Sequence, residues 1–149
     1  MPIHHARAVR ARPGFTLIEL LVTLALLGVL AALALPAYQQ QQRQARRSDA
    51  QAALLQLQVD QHRWRNAQGR FASSLTELGW TSERSAQGHY QIVLIEASAE
   101  GYVAEARPQG AQAQDGACSP MRLAWQDLAT VVYSSGADTD RDSARCWRT

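Results

Sequence analysis

One carboxylate stands inside a long apolar run. Glu19 is the only charged side chain between Phe15 and Leu35. A carboxylate at the centre of a membrane helix costs about 2.5–3.5 kcal/mol. Glu19 lies five residues into the run, so it can partly reach an interface, and a tolerated boundary charge is one reading. The sharper reading is a functional carboxylate that needs a cation. Hydrolysis of the bond between Gly14 and Phe15 would supply one, the ammonium of Phe15. The two cysteines, Cys118 and Cys146, both fall in the last third of the chain. An even count in an exported domain suggests a disulfide, and two buried free thiols are the alternative. Asp138, Asp140 and Asp142 sit at alternate positions. They could converge on Ca²⁺, a hard cation that takes about six to eight oxygen ligands. Arg141 intrudes, however, and neither the Gly nor the distal Glu of an EF-hand is present, so a solvated acidic turn competes with the metal reading. His4 and His5 lie before Gly14, and His62 and His89 have no Cys at metal-ligand spacing. Those two read as a helix-surface and a strand-edge histidine. The chain has no Gly-rich phosphate loop and no Gly-x-Ser-x-Gly. It reads as a non-enzyme without a cofactor.

The elements that position these groups follow from length and charge. A chain of 149 residues predicts one domain with appendages. Residues 15–35 would form a helix of about 32 Å, enough to cross a bilayer core. An ordinary secretory signal has a shorter apolar region that ends at small residues. Here the apolar pattern continues past Ala31 and Ala32. Arg7, Arg10 and Arg12 precede the span, and Arg43, Arg46 and Arg47 follow it, so charge alone does not orient it. Residues 43–70 carry six Arg and two Asp, whereas residues 71–149 carry six Arg and ten acids. The C-terminal part is therefore acidic, which disfavours a nucleic-acid partner.

The run Gly14-Phe15-Thr16-Leu17-Ile18-Glu19-Leu20-Leu21-Val22, with Pro36-Ala37-Tyr38 after it, closely resembles the class III prepilin signal of the type IV pilin family. The resemblance implies that a membrane peptidase cuts after Gly14 on the cytoplasmic side and N-methylates Phe15. It implies that the apolar helix stays on the mature protein, that Glu19 serves assembly, and that Pro36 kinks the helix. Arg46-Arg47-Ser48-Asp49-Ala50-Gln51, followed by Trp64 and Gly69-Arg70-Phe71, resembles the PilE-type minor pilins in particular, as does Trp147 after the second cysteine. In that family a C-terminal disulfide, here Cys118 with Cys146, clamps the end of the chain over the sheet. Closing that loop would contribute about 3.5 kcal/mol by chain entropy.

Periodicity fills in the rest. Ala50, Leu54, Leu57 and Trp64 recur at helical spacing, with Gln61 interrupting and with Gln51, Gln58 and Arg65 on the opposite side. Pro36 predicts a kink or local melt, and Gly69 predicts the stop. One helix is expected over about residues 15–66. Residues 71–88 read as a loop with a helical turn near Leu75 and Leu78. Strands are predicted over residues 90–95, 102–107, 121–126 and 130–133, the third with Met121, Leu123 and Trp125 on one face. The expected fold class is α+β, the type IV pilin fold, with a long N-terminal helix packed on a four-stranded antiparallel sheet. The divisions are a cleaved leader (1–14), a membrane and filament-core helix (15–36), an amphipathic continuation (37–70) and a globular head (71–149).

The function expected on this resemblance is a minor pilin, a structural subunit of a type IV pilus. The alternatives are a type II secretion pseudopilin and a competence pilin that binds DNA or another ligand. Expected partners are other pilin subunits, prepilin peptidase, the inner-membrane assembly platform and, before assembly, the inner membrane of a Gram-negative bacterium. DNA is disfavoured. The expected topology is single-pass with a periplasmic head, followed by the extracellular pilus.

Overall fold

The computed structural model describes residues 14–127, 129–136 and 144–147. The chain divides into two compact units, residues 1–39 and residues 40–149. Helix α1, Leu17–Gln68, runs through both.

In the first unit Thr16 begins the helix. Its hydroxyl accepts the N–H of Glu19 at 3.3 Å, which satisfies one of the free donors of the first turn. The acid at Glu19 also complements the positive end of the helix. Apolar side chains from Leu17 to Leu35 stand exposed, and the segment is long and apolar enough to cross a membrane. Thr23 fits this run because its hydroxyl donates to the Leu20 carbonyl at 2.9 Å. Helical structure continues through Pro36, so no local melt occurs there. A proline costs a helix one donated bond, here to the Ala32 carbonyl, and the regular turns on both sides carry it.

In the second unit α1 ends at Gly69, whose φ of +73° suits glycine and whose N–H returns to the Arg65 carbonyl at 2.8 Å. Four strands follow as an antiparallel meander in the order β1-β2-β3-β4: β1 Tyr90–Ala97, β2 Tyr102–Pro108, β3 Met121–Gln126 and β4 Thr130–Ser135. The α+β pilin-type architecture is therefore present, one long helix against a four-stranded antiparallel sheet. Two 3-10 turns, Gly110–Gln114 and Gly116–Cys118, link β2 to β3, and a short helix α2, Ala144–Trp147, follows β4.

Ala50, Leu54 and Leu57 of α1 meet Ile92, Ala104, Ala106, Met121 and Leu123 of the sheet in the core. Strand alternation keeps these residues on one face, and a bulge between Leu94 and Glu96 preserves it to the end of β1. The bulge leaves Ile95 exposed. In the β1–β2 turn, a side chain at Gly101 would collide with the Trp125 carbonyl, so the turn needs glycine. The helix buries a wider stripe than apolar spacing predicts. Gln51, Gln58 and Arg65 are half-buried beside the core rather than facing away from it, and Gln51 donates to the Cys146 carbonyl at 3.2 Å. Leu75 and Leu78 sit in hydrogen-bonded turns, with Leu78 N–H to the Leu75 carbonyl at 3.1 Å.

Candidate functional site

The N-terminal motif occupies the start of α1. Gly14 and Phe15 precede the helix in open backbone, and the Phe15 ring is 82 % exposed. Glu19 follows one turn later, also exposed, and its backbone N–H is engaged by Thr16. The bond after Gly14 is thus presented in a non-helical stretch. No side chain at Gly14 obstructs it. Asp138, Asp140 and Asp142 lie outside the described residues. Among the described residues no group of His, Cys, Asp and Glu could hold a metal ion.

Arg43, Arg46 and Arg47 are largely turned to internal use. Arg47 makes a bidentate pair with Asp115, Nε to Oδ2 at 2.7 Å and Nη2 to Oδ1 at 2.8 Å, with both side chains mostly buried. The hydrogen bond that Arg47 donates to Asp115 raises the Arg47 pKa against the opposing effect of burial. Arg43 donates to Gln114 Oε1 at 2.9 Å, and Arg46 to Gln42 Oε1 at 3.4 Å. Gln112, 1 % exposed, completes the network by donating to the Arg43 carbonyl at 3.1 Å and to the Tyr90 hydroxyl at 2.9 Å. Burial pushes the Tyr90 phenol up to about 12. These bonds tie the segment after β2 to the lower part of α1.

Other buried polar residues also escaped the sequence pattern, Asp49, Gln61 and Glu105 among them. Asp49, 4 % exposed, accepts from Ser85 Oγ at 2.6 Å, Gln87 N at 3.1 Å and His89 N at 3.3 Å, which anchors the end of the loop between α1 and β1. Gln61, fully buried, holds the start of that loop. Its Nε2 donates to the Ala72 carbonyl at 3.0 Å, and its Oε1 accepts the Ala72 N–H at 2.8 Å. Glu105 lies on the sheet face away from the helix yet is only 4 % exposed. Arg107 Nε donates to it at 2.9 Å, and Arg122 Nε at 3.0 Å with Nη2 alongside. Burial alone would raise the Glu105 pKa, but the hydrogen bonds from Arg122 and Arg107 outweigh it and hold it low. A sequence signal for this trio existed: Glu105 and Arg107 share strand parity, and Arg122 has the outward parity of β3.

Cys118 and Cys146 are joined, S–S 1.98 Å and Cα–Cα 5.6 Å. The bond holds α2 against the sheet, where Trp147 packs on Tyr133 at 4.6 Å and donates its indole N–H to the Ser134 carbonyl at 3.0 Å. His62 is half-buried rather than free on the helix surface. Its ring stands edge-on to Trp125 at 4.3 Å, and burial, with a lesser push from Arg65, lowers its pKa. Other arginines of this unit are also engaged: Arg63 with Asp60, Arg70 with Glu77, and Arg65 over the Phe71 ring at 5.1 Å.

Two family models match the chain. Residues 9–35 match the prokaryotic N-terminal methylation motif. Residues 36–122 match the family described as "Type IV minor pilin ComP, DNA uptake sequence receptor". The chain is also similar to the type IV major pilin protein PilA of Myxococcus xanthus (strain DK1622), 33 % identical over 79 residues. That match covers 53 % of this chain and 36 % of the relative, about a third of its length.

Proposed function

The chain belongs to the type IV minor pilin family, and from that premise we propose that it is cut after Gly14, N-methylated on Phe15 and built into a pilus through α1. The family is structural rather than enzymatic, and it implies assembly with other pilins after peptidase processing. The observation that supports the reading best is the apolar stretch of α1, whose side chains stand uncovered and which carries Glu19 as its only charge. Before assembly a bilayer of the inner membrane would cover it, with residues 40–149 in the periplasm. In a filament the neighbouring helices would cover it instead. Glu19 would then enter a low-dielectric core, where an unpaired charge is costly and a paired one tolerable. The cation is the Phe15 ammonium of the same or a neighbouring subunit, and a neighbour's ammonium would also set axial register. The Cys118–Cys146 disulfide fits an oxidising compartment outside the cytoplasm.

The test is processing and incorporation in cells. Gly14→Arg should block cleavage and leave the longer form in the membrane. Glu19→Ala and Glu19→Gln should be processed normally but depleted from sheared pili. Normal-sized mature protein from Gly14→Arg would remove the cleavage assignment, and wild-type levels of both Glu19 variants in filaments would remove the pairing role.

A DNA-receptor role has one observation in its favour, the description of the matching family. The acidic charge of residues 71–149 and the pairing of Arg47, Arg63, Arg70 and Arg122 with carboxylates weigh against it. A type II secretion role has no observation of its own here.

A further inference from the structure

A groove of about 470 Å³ opens beside the outer edge of the sheet, between β1 and the loop that precedes it. Thr76, Trp80 and Thr81 line it from the loop, and Gln91, Val93 and Arg107 from the sheet. Arg107 is the only guanidinium in its wall. It is held from behind, because its Nε–H is given to the buried carboxylate of Glu105, which Arg122 also grips. The Arg107 side chain is nevertheless 50 % exposed. No hydrogen bond among the described residues uses its two Nη groups. A guanidinium anchored through Nε keeps its Nη1/Nη2 end for a ligand, and that end matches the two oxygens of a carboxylate. Its orientation is fixed in advance, which lowers the entropy lost on binding.

The rest of the wall suits a neutral, hydroxyl-rich body. Threonine hydroxyls and the Gln91 amide both donate and accept hydrogen bonds. The Trp80 ring is fixed by its N–H to Asp60 Oδ2 at 3.0 Å, and with Val93 it adds apolar surface. Glu83, the one carboxylate in the wall, accepts from Gln91 Nε2 at 2.9 Å.

We propose that this groove binds a carboxylated sugar, a uronic-acid residue of an acidic polysaccharide, with Arg107 taking the carboxylate and Thr76, Thr81 and Gln91 the ring hydroxyls. This is a recognition function separate from assembly, since Gly14, Phe15 and Glu19 take no part in it. An acidic peptide offers the same carboxylate. Extended peptides dock on a free sheet edge by adding a strand, however, and the outer edge of β1 beside this groove is already paired with the loop, Ile92 N–H to the Glu83 carbonyl at 2.6 Å and Ser85 N–H to the Tyr90 carbonyl at 2.9 Å.

The full-length protein in detergent micelles should be titrated calorimetrically with oligogalacturonate, with its methyl ester, and with triglutamate. The free acid should bind about tenfold more tightly than the neutral ester, the worth of one charge-assisted pair. Arg107→Gln should abolish that difference while retaining the wild-type unfolding temperature. Should Arg107→Gln fail to fold, Thr81→Val, which leaves the Glu105 cluster intact, should weaken acid and ester alike. Equal binding of acid and ester, no binding of either, or wild-type affinity in a folded Arg107→Gln (or in Thr81→Val, where that variant serves) would overturn the proposal. Triglutamate binding as tightly as the sugar, and lost in Arg107→Gln, would overturn the sugar in favour of a peptide.

Discussion

Buried polar side chains do the most specific work in residues 40–149. Asp49 accepts three hydrogen bonds from residues 36 to 40 positions away in sequence. Asp49→Ala would strand the Ser85 hydroxyl and the N–H groups of Gln87 and His89. The expected cost is about 3 kcal/mol, visible as a lower unfolding temperature and as protease cutting within residues 82–89. Resistance of that loop equal to wild type would show that Asp49 does not anchor it. His62 gives a pH dependence. Its pKa is lowered in the fold, chiefly by burial and then by Arg65, so the folded protein favours the neutral ring. Its contribution to stability is therefore complete above the unfolded value of about 6.5 and is lost as pH falls through the lower folded value. The unfolding temperature should drop on acidification from about pH 7 toward pH 5, and His62→Gln should flatten that limb. An unchanged limb in the variant would assign the pH dependence to other groups. Glu77, held down to about 2 by Arg70 and Ser73, titrates in a separate, more acidic window.

At the scale of elements, each addition to the helix and sheet is fastened by a small number of groups. The loop before β1 is held at its start by Gln61 and at its end by Asp49. The segment after β2 is held by Arg47 with Asp115. Helix α2 is only Ala144–Trp147, far too short to be stable alone, so it depends on the disulfide and on Trp147 against Tyr133. Cys146→Ser should lower stability by about 2–5 kcal/mol. It should also release Trp147, seen as a shift in its fluorescence. Equal unfolding temperatures with and without reductant in the wild type would deny the bond that role.

At the scale of the molecule, the two units meet different solvents. The first is uncovered apolar surface, which needs lipid or neighbouring helices. The second has its own core and its own disulfide. A version beginning at Gln40 should therefore be soluble and unfold cooperatively. The same version tests the DNA reading. With Arg47, Arg70 and Arg122 paired and residues 71–149 acidic, duplex binding should be weak, sequence-independent and abolished by moderate salt. Tight, sequence-selective binding at physiological salt would instead make the receptor reading the better one.

The sequence by itself determined the parts governed by local or one-dimensional rules. A long apolar run with one acid, a Gly-Phe junction before it and a Gly stop after the amphipathic stretch need no knowledge of neighbours. Strand alternation is equally local: the boundaries of β3 coincide with the expected residues 121–126, and the other strands differ by at most two residues at an end. Only the tertiary structure decided which polar groups go inside. Asp49, Gln61 and Glu105 have the composition of surface residues, and their burial is tolerable only because donors and acceptors from distant segments converge on them. The same holds for the arginines. Sequence shows a basic cluster at Arg43, Arg46 and Arg47, but whether a guanidinium faces a partner or a carboxylate of its own chain depends on where Asp115 folds back, 68 residues away. Hydrogen bonds and ion pairs act over a few ångströms in space and carry no signature in sequence spacing, whereas the hydrophobic pattern repeats with the geometry of the backbone itself.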